Sequence, residues 1–358
     1  MASRDDVLKA LEQVIDPELR RPVTELDMVR DVRVEGGDVA VKIALTVAGC
    51  PLRSSFEDQV ARTVGELPGV RSVSLAFDVM TPEERTALTA KLRGGVTERT
   101  QGISVDASTR VLAVASGKGG VGKSSLTVNL AAAATLLGQR AGILDADVYG
   151  HSIPHMLGTS QRPVLVDRMI VPPVAHGLHL MSIGFFLDEN GPVMWRGPML
   201  HRALEQFLSD VHWPQLDVLY VDMPPGTGDV AISLGQLLPR AEVLVVTTPQ
   251  PLAQEVAVRA AAMAQRTNTR VIGVVENMSG GVFGEGGGEQ LATQLGVPLL
   301  GSVPLDVRLR EAGDAGEPAV LAERDSAAAQ AILEIAEAVA ASRRERGVGI
   351  VKPLTVLS

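Results

Sequence analysis

One short segment limits the folds open to this chain more than any other. Val111 to Ala115 are apolar-biased and lead into Gly117-Lys118-Gly119-Gly120-Val121-Gly122-Lys123-Ser124, which satisfies the pattern G-x-x-x-x-G-K-[ST]. Ser125-Leu126-Thr127-Val128-Asn129-Leu130 and an Ala-rich stretch come next, with the composition of a buried helix. Strand, glycine loop and helix in that order make a phosphate cradle. Glycines let backbone N–H groups curl around phosphate oxygens, and the helix N-terminus adds positive potential. Residues Gly117 through Ser125 are therefore expected to bind nucleotide. Lys123 would neutralise the β- and γ-phosphates, and Ser124 would offer its hydroxyl to Mg²⁺. The alternative is a bare glycine turn before a helix; eight fitting positions in the right context weigh against it.

From about residue 110 to 345 strand and helix signals alternate, which predicts an α/β domain with a mostly parallel, helix-covered sheet. Ala141-Gly142-Ile143-Leu144 runs into Asp145-Ala146-Asp147, and Leu216 to Val221 runs into Asp222. Carboxylates at the C-terminal ends of such strands face the ligand crevice, although acids there can also merely cap the next turn. Asp222 is the expected metal-side acid, and the following Pro224-Pro225-Gly226-Thr227-Gly228-Asp229 is the expected switch loop. Residues 242–248 and 270–275 supply two further buried strands. A helix over about 326–343 carries Ile332, Leu333, Ile335 and Val339 on an Ala-rich face and is expected to pack. Residues 346–358 read as a tail.

Ahead of this lies a smaller α/β pattern over 1–95, joined by a polar, glycine-containing linker at 96–109. Val7, Leu8, Leu11, Val14 and Ile15 recur at helical spacing up to Asp16-Pro17. Val32–Glu35 and Val39–Leu45 flank a Gly36-Gly37-Asp38 turn, a helix is expected over about 52–67, and a strand over 70–79. Cys50 sits in Thr46-Val47-Ala48-Gly49-Cys50-Pro51, ahead of that helix. A thiol so placed is either activated by the helix N-terminus or a small buried hydrophobe. Asp16 and Glu18 could lend oxygens to a metal or simply end the first helix.

A length of 358 residues favours two domains. The formal net charge of −9 argues against a nucleic-acid partner, which asks for a basic face. No stretch approaches the apolar length of a membrane span, and the first residues carry no leader-like apolar core. A single cysteine fits a reducing compartment, so the expectation is a cytoplasmic protein without membrane partner. All six histidines fall between 151 and 212 and read as incidental.

Lys118 gives the loop the form GKGGVGKS. This resembles the dimerising ATPases that include MinD, ParA, the nitrogenase iron protein and the Mrp proteins. The resemblance implies a homodimer in which Lys118 reaches the partner's nucleotide. It also implies that Asp147 orients the attacking water and that Asp145 lies near the metal. Asn277 would hydrogen-bond the adenine edge, and the stretch around Pro304 would close the base pocket. GKGGVGKSS, DADVYG, VMWRGPML, VDMPPGTGD, TTPQ and ENMS together resemble the Mrp (ApbC-like) family of iron–sulfur cluster carrier ATPases. IDPEL at 15–19 and TVAGCP at 46–51 are similar to the small SufT-like domain that often accompanies it. Membership of that family would imply slow ATP hydrolysis with Mg²⁺ and apoprotein clients that receive clusters. One departure stands out. Family members place a C-x-x-C pair after ENMS, two pairs per dimer holding a bridging [4Fe–4S] cluster. Here residues 280–288 contain no cysteine, so a dimer has only its two Cys50 thiols. Three readings stay open: Cys50 helps to hold a labile cluster, other ligands contribute, or the protein is a nucleotide-gated scaffold or regulator that binds none. A MinD- or ParA-type positioning ATPase is a further alternative, disfavoured by the acidic charge.

Overall fold

The computed structural model describes residues 2–46, 53–92, 104–148, 150–167, 169–186, 197–226, 229–267 and 269–342. Cys50, Tyr149, Trp195, Arg196, Thr227, Gly228, most of the linker and the tail lie outside the described residues. The chain divides into two compact units, one of residues 1–106, 161–174 and 205–214, the other of 107–160, 175–204 and 215–358.

In the first unit, α1 (Arg4–Leu11) opens on a capping box in which Ser3 and Asp6 satisfy each other's backbone N–H. The apolar spacing predicts a helix reaching Asp16-Pro17, but α1 stops at Leu11. The Gln59 side chain instead takes both backbone groups of Ile15, accepting from its N–H at 2.9 Å and donating to its carbonyl at 3.0 Å. β1 (Val29–Glu35) and β2 (Asp38–Leu45) pair antiparallel around the Gly36-Gly37 turn. α2 (Arg53–Gly65) then returns the chain so that β3 (Ser72–Val79) lies parallel to β2, and α3 (Pro82–Leu92) comes after it. The sheet order is β1-β2-β3.

In the second unit, β4 (Arg110–Ser116), α4 (Lys123–Leu136) and β5 (Ala141–Asp145) come first, then the short α5 (Ile153–Met156). The next hairpin, β6 (Val164–Val166) with β7 (Met169–Val171), belongs to the first unit, where buried Val166, Met169 and Val171 join a core with Leu11, Ile43 and Phe56. The chain continues through β8 (Val174–Ala175), β9 (Leu178–Ser182), α6 (Gly197–Ser209), β10 (Val218–Asp222), α7 (Asp229–Leu237), β11 (Glu242–Thr247) and α8 (Pro251–Arg266). The described part closes with β12 (Arg270–Ser279), α9 (Gly287–Leu295), β13 (Leu299–Pro304), α10 (Val307–Ala315), α11 (Ala319–Ala322) and α12 (Ala327–Ala341).

Among the described residues eight strands form one sheet in the order β13-β12-β11-β4-β10-β5-β9-β8, with every pairing from β13 to β9 parallel. β5, β10 and β11 are buried along their whole length, as expected of a parallel sheet covered on both faces. Ala131 to Ala134 of α4 are 1% exposed or less, because the helix is pressed between the sheet and α12. Ile332, Ile335 and Val339 of α12 complete that contact, which confirms a packing role for the helix. At the opposite end of the strands, Arg110 donates to Glu242 at 2.6 Å and to the Val339 carbonyl at 2.5 Å, placing a cation on the α12 C-terminus. Among the described residues no helix is long and apolar enough to cross a membrane.

Candidate functional site

The C-terminal ends of β4, β5 and β10 meet under one loop. β4 ends at Ser116, and residues 117–122 turn the chain into α4. Gly117 is fixed by close approach: a Cβ there would stand 2.3 Å from the backbone of Val256 and Ala257 in α8. Gly122 is fixed by its backbone, at φ +78°, a left-handed conformation that other residues rarely adopt. It caps α4 without a side-chain hydrogen bond, so the amides of the first turn are left for an anion. The loop lines a cavity of about 390 Å³ together with Lys118, Asp147, Gly150 and Pro225. Gly119, Gly120, Val121, Lys123, Ser124 and Ser125 all line it, while Gly117 does not and stands against α8 instead.

Lys123 is the electrostatic centre. Its Nζ lies 2.8 Å from Asp222 Oδ1 and 3.4 Å from Asp147 Oδ2, and donates to Ser124 Oγ at 3.3 Å. Ser124 in turn donates to Asp222 Oδ2 at 2.6 Å, and Thr127 donates to Asp222 Oδ1 at 2.8 Å. Thus four residues expected to act on phosphate and metal converge on each other. Thr127 escaped the sequence reading, although its place four residues after Lys123 puts it on the same helical face.

Asp145 faces Asp222 in register across β5 and β10. It accepts from Ser182 Oγ at 2.8 Å and from the Asp147 N–H at 3.2 Å. Burial, and then the charge of Asp222, hold the Asp145 carboxyl well above the usual carboxylate range. Burial likewise raises Asp222, against the opposing pull of Lys123 and of the Ser124 and Thr127 hydroxyls. Asp147 is oriented by accepting from the Gly150 N–H at 3.1 Å. Ser182 could not be found from sequence, because only the pairing of β9 with β5 brings it to Asp145.

Asn277 and Pro304 do not line the cavity. Asn277 is buried and donates to the Val121 carbonyl at 2.9 Å, bracing the loop from the end of β12. Pro304 pairs with Ser279 at the end of β13. Beside Asn277, the buried Glu276 carboxylate accepts from the Gly288 N–H at 2.6 Å, the Ser279 hydroxyl at 3.0 Å and the Gly286 N–H at 3.4 Å. It thereby anchors the glycine-rich stretch 280–288, a role with no sequence signal. Cys50, the expected iron–sulfur ligand, is outside the described residues.

The donors fit a magnesium ion. Ser124 and Asp222 offer a hydroxyl and a carboxylate, hard oxygens suited to a cation that takes its remaining ligands from water and phosphate. Among the described residues no group of three or more His, Cys, Asp or Glu is placed to hold a metal by itself.

A family model described as "NUBPL iron-transfer P-loop NTPase" matches residues 107–340, and one described as "Iron-sulfur cluster assembly protein" matches residues 4–75. The chain is 52% identical over 361 residues to an iron-sulfur cluster carrier protein of Mycobacterium leprae, covering 96% of this chain and 94% of the relative. Among solved structures, a nucleotide-binding protein from Archaeoglobus fulgidus in complex with ADP superposes with TM-score 0.51 at 35% identity, over 58% of this chain and 87% of that one. The septum site-determining protein MinD of Pyrococcus horikoshii, complexed with Mg-ADP, superposes with TM-score 0.51 at 23% identity, over 64% and 96%. The latter likeness concerns the fold alone.

Proposed function

The chain belongs to the family of iron-transfer P-loop NTPases, and from that premise we propose that it is an ATP-hydrolysing homodimer serving iron–sulfur protein maturation. The observation that carries this reading is Lys123 Nζ, held between Asp222 and Asp147 at the mouth of the loop. Phosphate oxygens entering the cradle compete with both carboxylates for the same ammonium. Lys123 then neutralises the β- and γ-phosphates while the loop amides bind their oxygens. Mg²⁺, when bound, neutralises phosphate charge; Ser124 and Asp222 would hold it, with Asp145 behind them. Asp147, freed from Lys123, orients the attacking water. Nucleotide binding is thereby coupled to Asp147 and Asp222, the two acids that share the Lys123 ammonium and would respond to γ-phosphate loss. Lys118 of each protomer completes the other's site, while Asn277, outside the cavity lining, braces the loop through the Val121 carbonyl.

The cargo is an iron–sulfur cluster passed to apoprotein clients, with Cys50 as the chain's sole thiol donor. One cysteine in 358 residues suits a reducing cytoplasm, and the net charge of −9 suits neither nucleic acid nor an anionic membrane as partner. The cysteine count also favours a second reading, a nucleotide-gated scaffold that recruits clients and carries no cluster. Anaerobic reconstitution with iron and sulfide separates the two. A carrier retains iron and sulfide in stoichiometric amounts and loses them in Cys50→Ser. A scaffold retains none in either form, and a cluster that survives Cys50→Ser rules that thiol out as a ligand. Lys118→Ala should keep nucleotide affinity and lose both dimer formation and turnover.

A further inference from the structure

The first unit contains a cavity of about 450 Å³ that has no part in the nucleotide chemistry. Its floor is the loop after α1, and its walls are the two limbs of the β6–β7 hairpin. Pro17, Pro163, Pro172 and Pro173 form much of the lining, with Val164 and Val171. Prolines have fixed φ and no N–H, so these walls are stiff, apolar and short of donors. A cavity built this way is preformed, and a ligand entering it need not order its surroundings.

Three charged or ionisable side chains line it, Glu18, Arg20 and Arg162, and among the described residues none of these side chains has a hydrogen bond or ion pair. The loop that presents two of them is pinched shut. Ile15 bridges Pro22, Arg20 N–H donates to the Asp16 carbonyl at 2.8 Å, and the buried Asp16 carboxylate accepts from the N–H groups of Glu18 and Leu19, both at 2.8 Å. The same fold holds Arg20 at φ +55°, an uncommon backbone for a long side chain. Backbone strain at a residue whose guanidinium has no partner among the described residues is the pattern expected where a group is held ready for a ligand.

We propose that this cavity binds a small amphipathic organic anion, its apolar body against the prolines and valines and its carboxylate or sulfonate on Arg20 and Arg162. Guanidinium groups favour such oxyanions through paired N–H donors. Glu18 makes the site proton-linked. Burial, and then the neighbouring Asp16, push its carboxyl up to about 7, so below neutrality it is an uncharged wall and above it a repelling charge. The charged groups lining the cavity are Glu18 itself, Arg20 on its own loop and Arg162 on the hairpin, with Asp16 behind.

The test uses the full chain and anilinonaphthalene sulfonate as probe, read by fluorescence, with free naphthoate as competitor. Expected are saturable binding at one site per chain, displacement by naphthoate, and at least tenfold weaker binding in Arg20→Gln/Arg162→Gln. Between pH 6 and pH 8 the protonated fraction of Glu18 falls from about nine-tenths to about one-tenth, so affinity should fall about tenfold. Glu18→Gln should abolish that dependence. Val164→Trp, which fills the cavity, should eliminate the site. Should that variant misfold, the two arginine substitutions decide alone, since both side chains lie at the surface. No saturable binding, or equal binding in the arginine variant, overturns the proposal.

Discussion

Lys123 and Asp222 form a buried ion pair, Nζ to Oδ1 at 2.8 Å, with side chains 6% and 0% exposed. Removing the cation leaves the Asp222 carboxylate with the Ser124 and Thr127 hydroxyls as its partners among the described residues. Breaking one side of such a pair costs on the order of 3–5 kcal/mol when the remaining charge stays buried. Asp222 is already raised by burial, so at low pH it escapes the penalty by taking a proton. Lys123→Ala should therefore lose more stability at pH 8 than at pH 5 in urea unfolding. Adding Asp222→Asn should recover part of the loss at pH 8.

Gly117 and Gly119 belong to the same loop, but only the first should be sensitive to an added methyl group. A Cβ at Gly117 meets the α8 backbone, which has no rotamer to yield, whereas a Cβ at Gly119 meets nothing within 4 Å. Gly117→Ala should cost about 1–3 kcal/mol and weaken ATP binding at least tenfold, read by calorimetry. Gly119→Ala should change stability by no more than about 0.5 kcal/mol.

Glu276 anchors the cysteine-free, glycine-rich stretch 280–288. Its carboxylate accepts from three groups, and a hydrogen bond to a charged acceptor contributes about 1.5–3 kcal/mol net, less where the freed amide regains water. Glu276→Ala should destabilise the chain by about 2–3 kcal/mol. Hydrogen exchange should accelerate at Gly286 and Gly288 while amides in the core of β4 stay protected.

Glu18 carries a stability signature as well as a binding one. Its folded carboxyl titrates near 7, against an ordinary value of 4.5. The folded state thus binds more protons than the unfolded one between those values, so stability is lost as pH rises from about 4.5 to about 7. Because the side chain is only partly buried, solvent screening reduces the effect to about 1 kcal/mol. Glu18→Gln should unfold at higher urea than the parent at pH 8 and at the same concentration at pH 4.

The parts of this protein that were legible in sequence are those set by local periodicity and local sterics. The strand, loop and helix around Gly117–Ser124 and the Gly36-Gly37 hairpin needed only neighbours a few residues away. The carboxylates at the ends of β5 and β10 were legible because parallel strands present their C-terminal ends to a shared crevice. What sequence missed depends on distant partners. Val14 and Ile15 keep helical spacing, yet Gln59, 44 residues away from Ile15, takes the backbone groups that a helix would have used. Ser182 reaches Asp145 only through strand pairing, and residues 161–174 join the first unit only because their apolar face finds its core there.

The most direct test of the nucleotide site is phosphate release from ATP and Mg²⁺, comparing the parent chain with Lys123→Ala at equal concentration. Slow, saturable release by the parent and none above background in the variant is the predicted result. Equal release by both, or no release and no ATP binding by the parent, would contradict it.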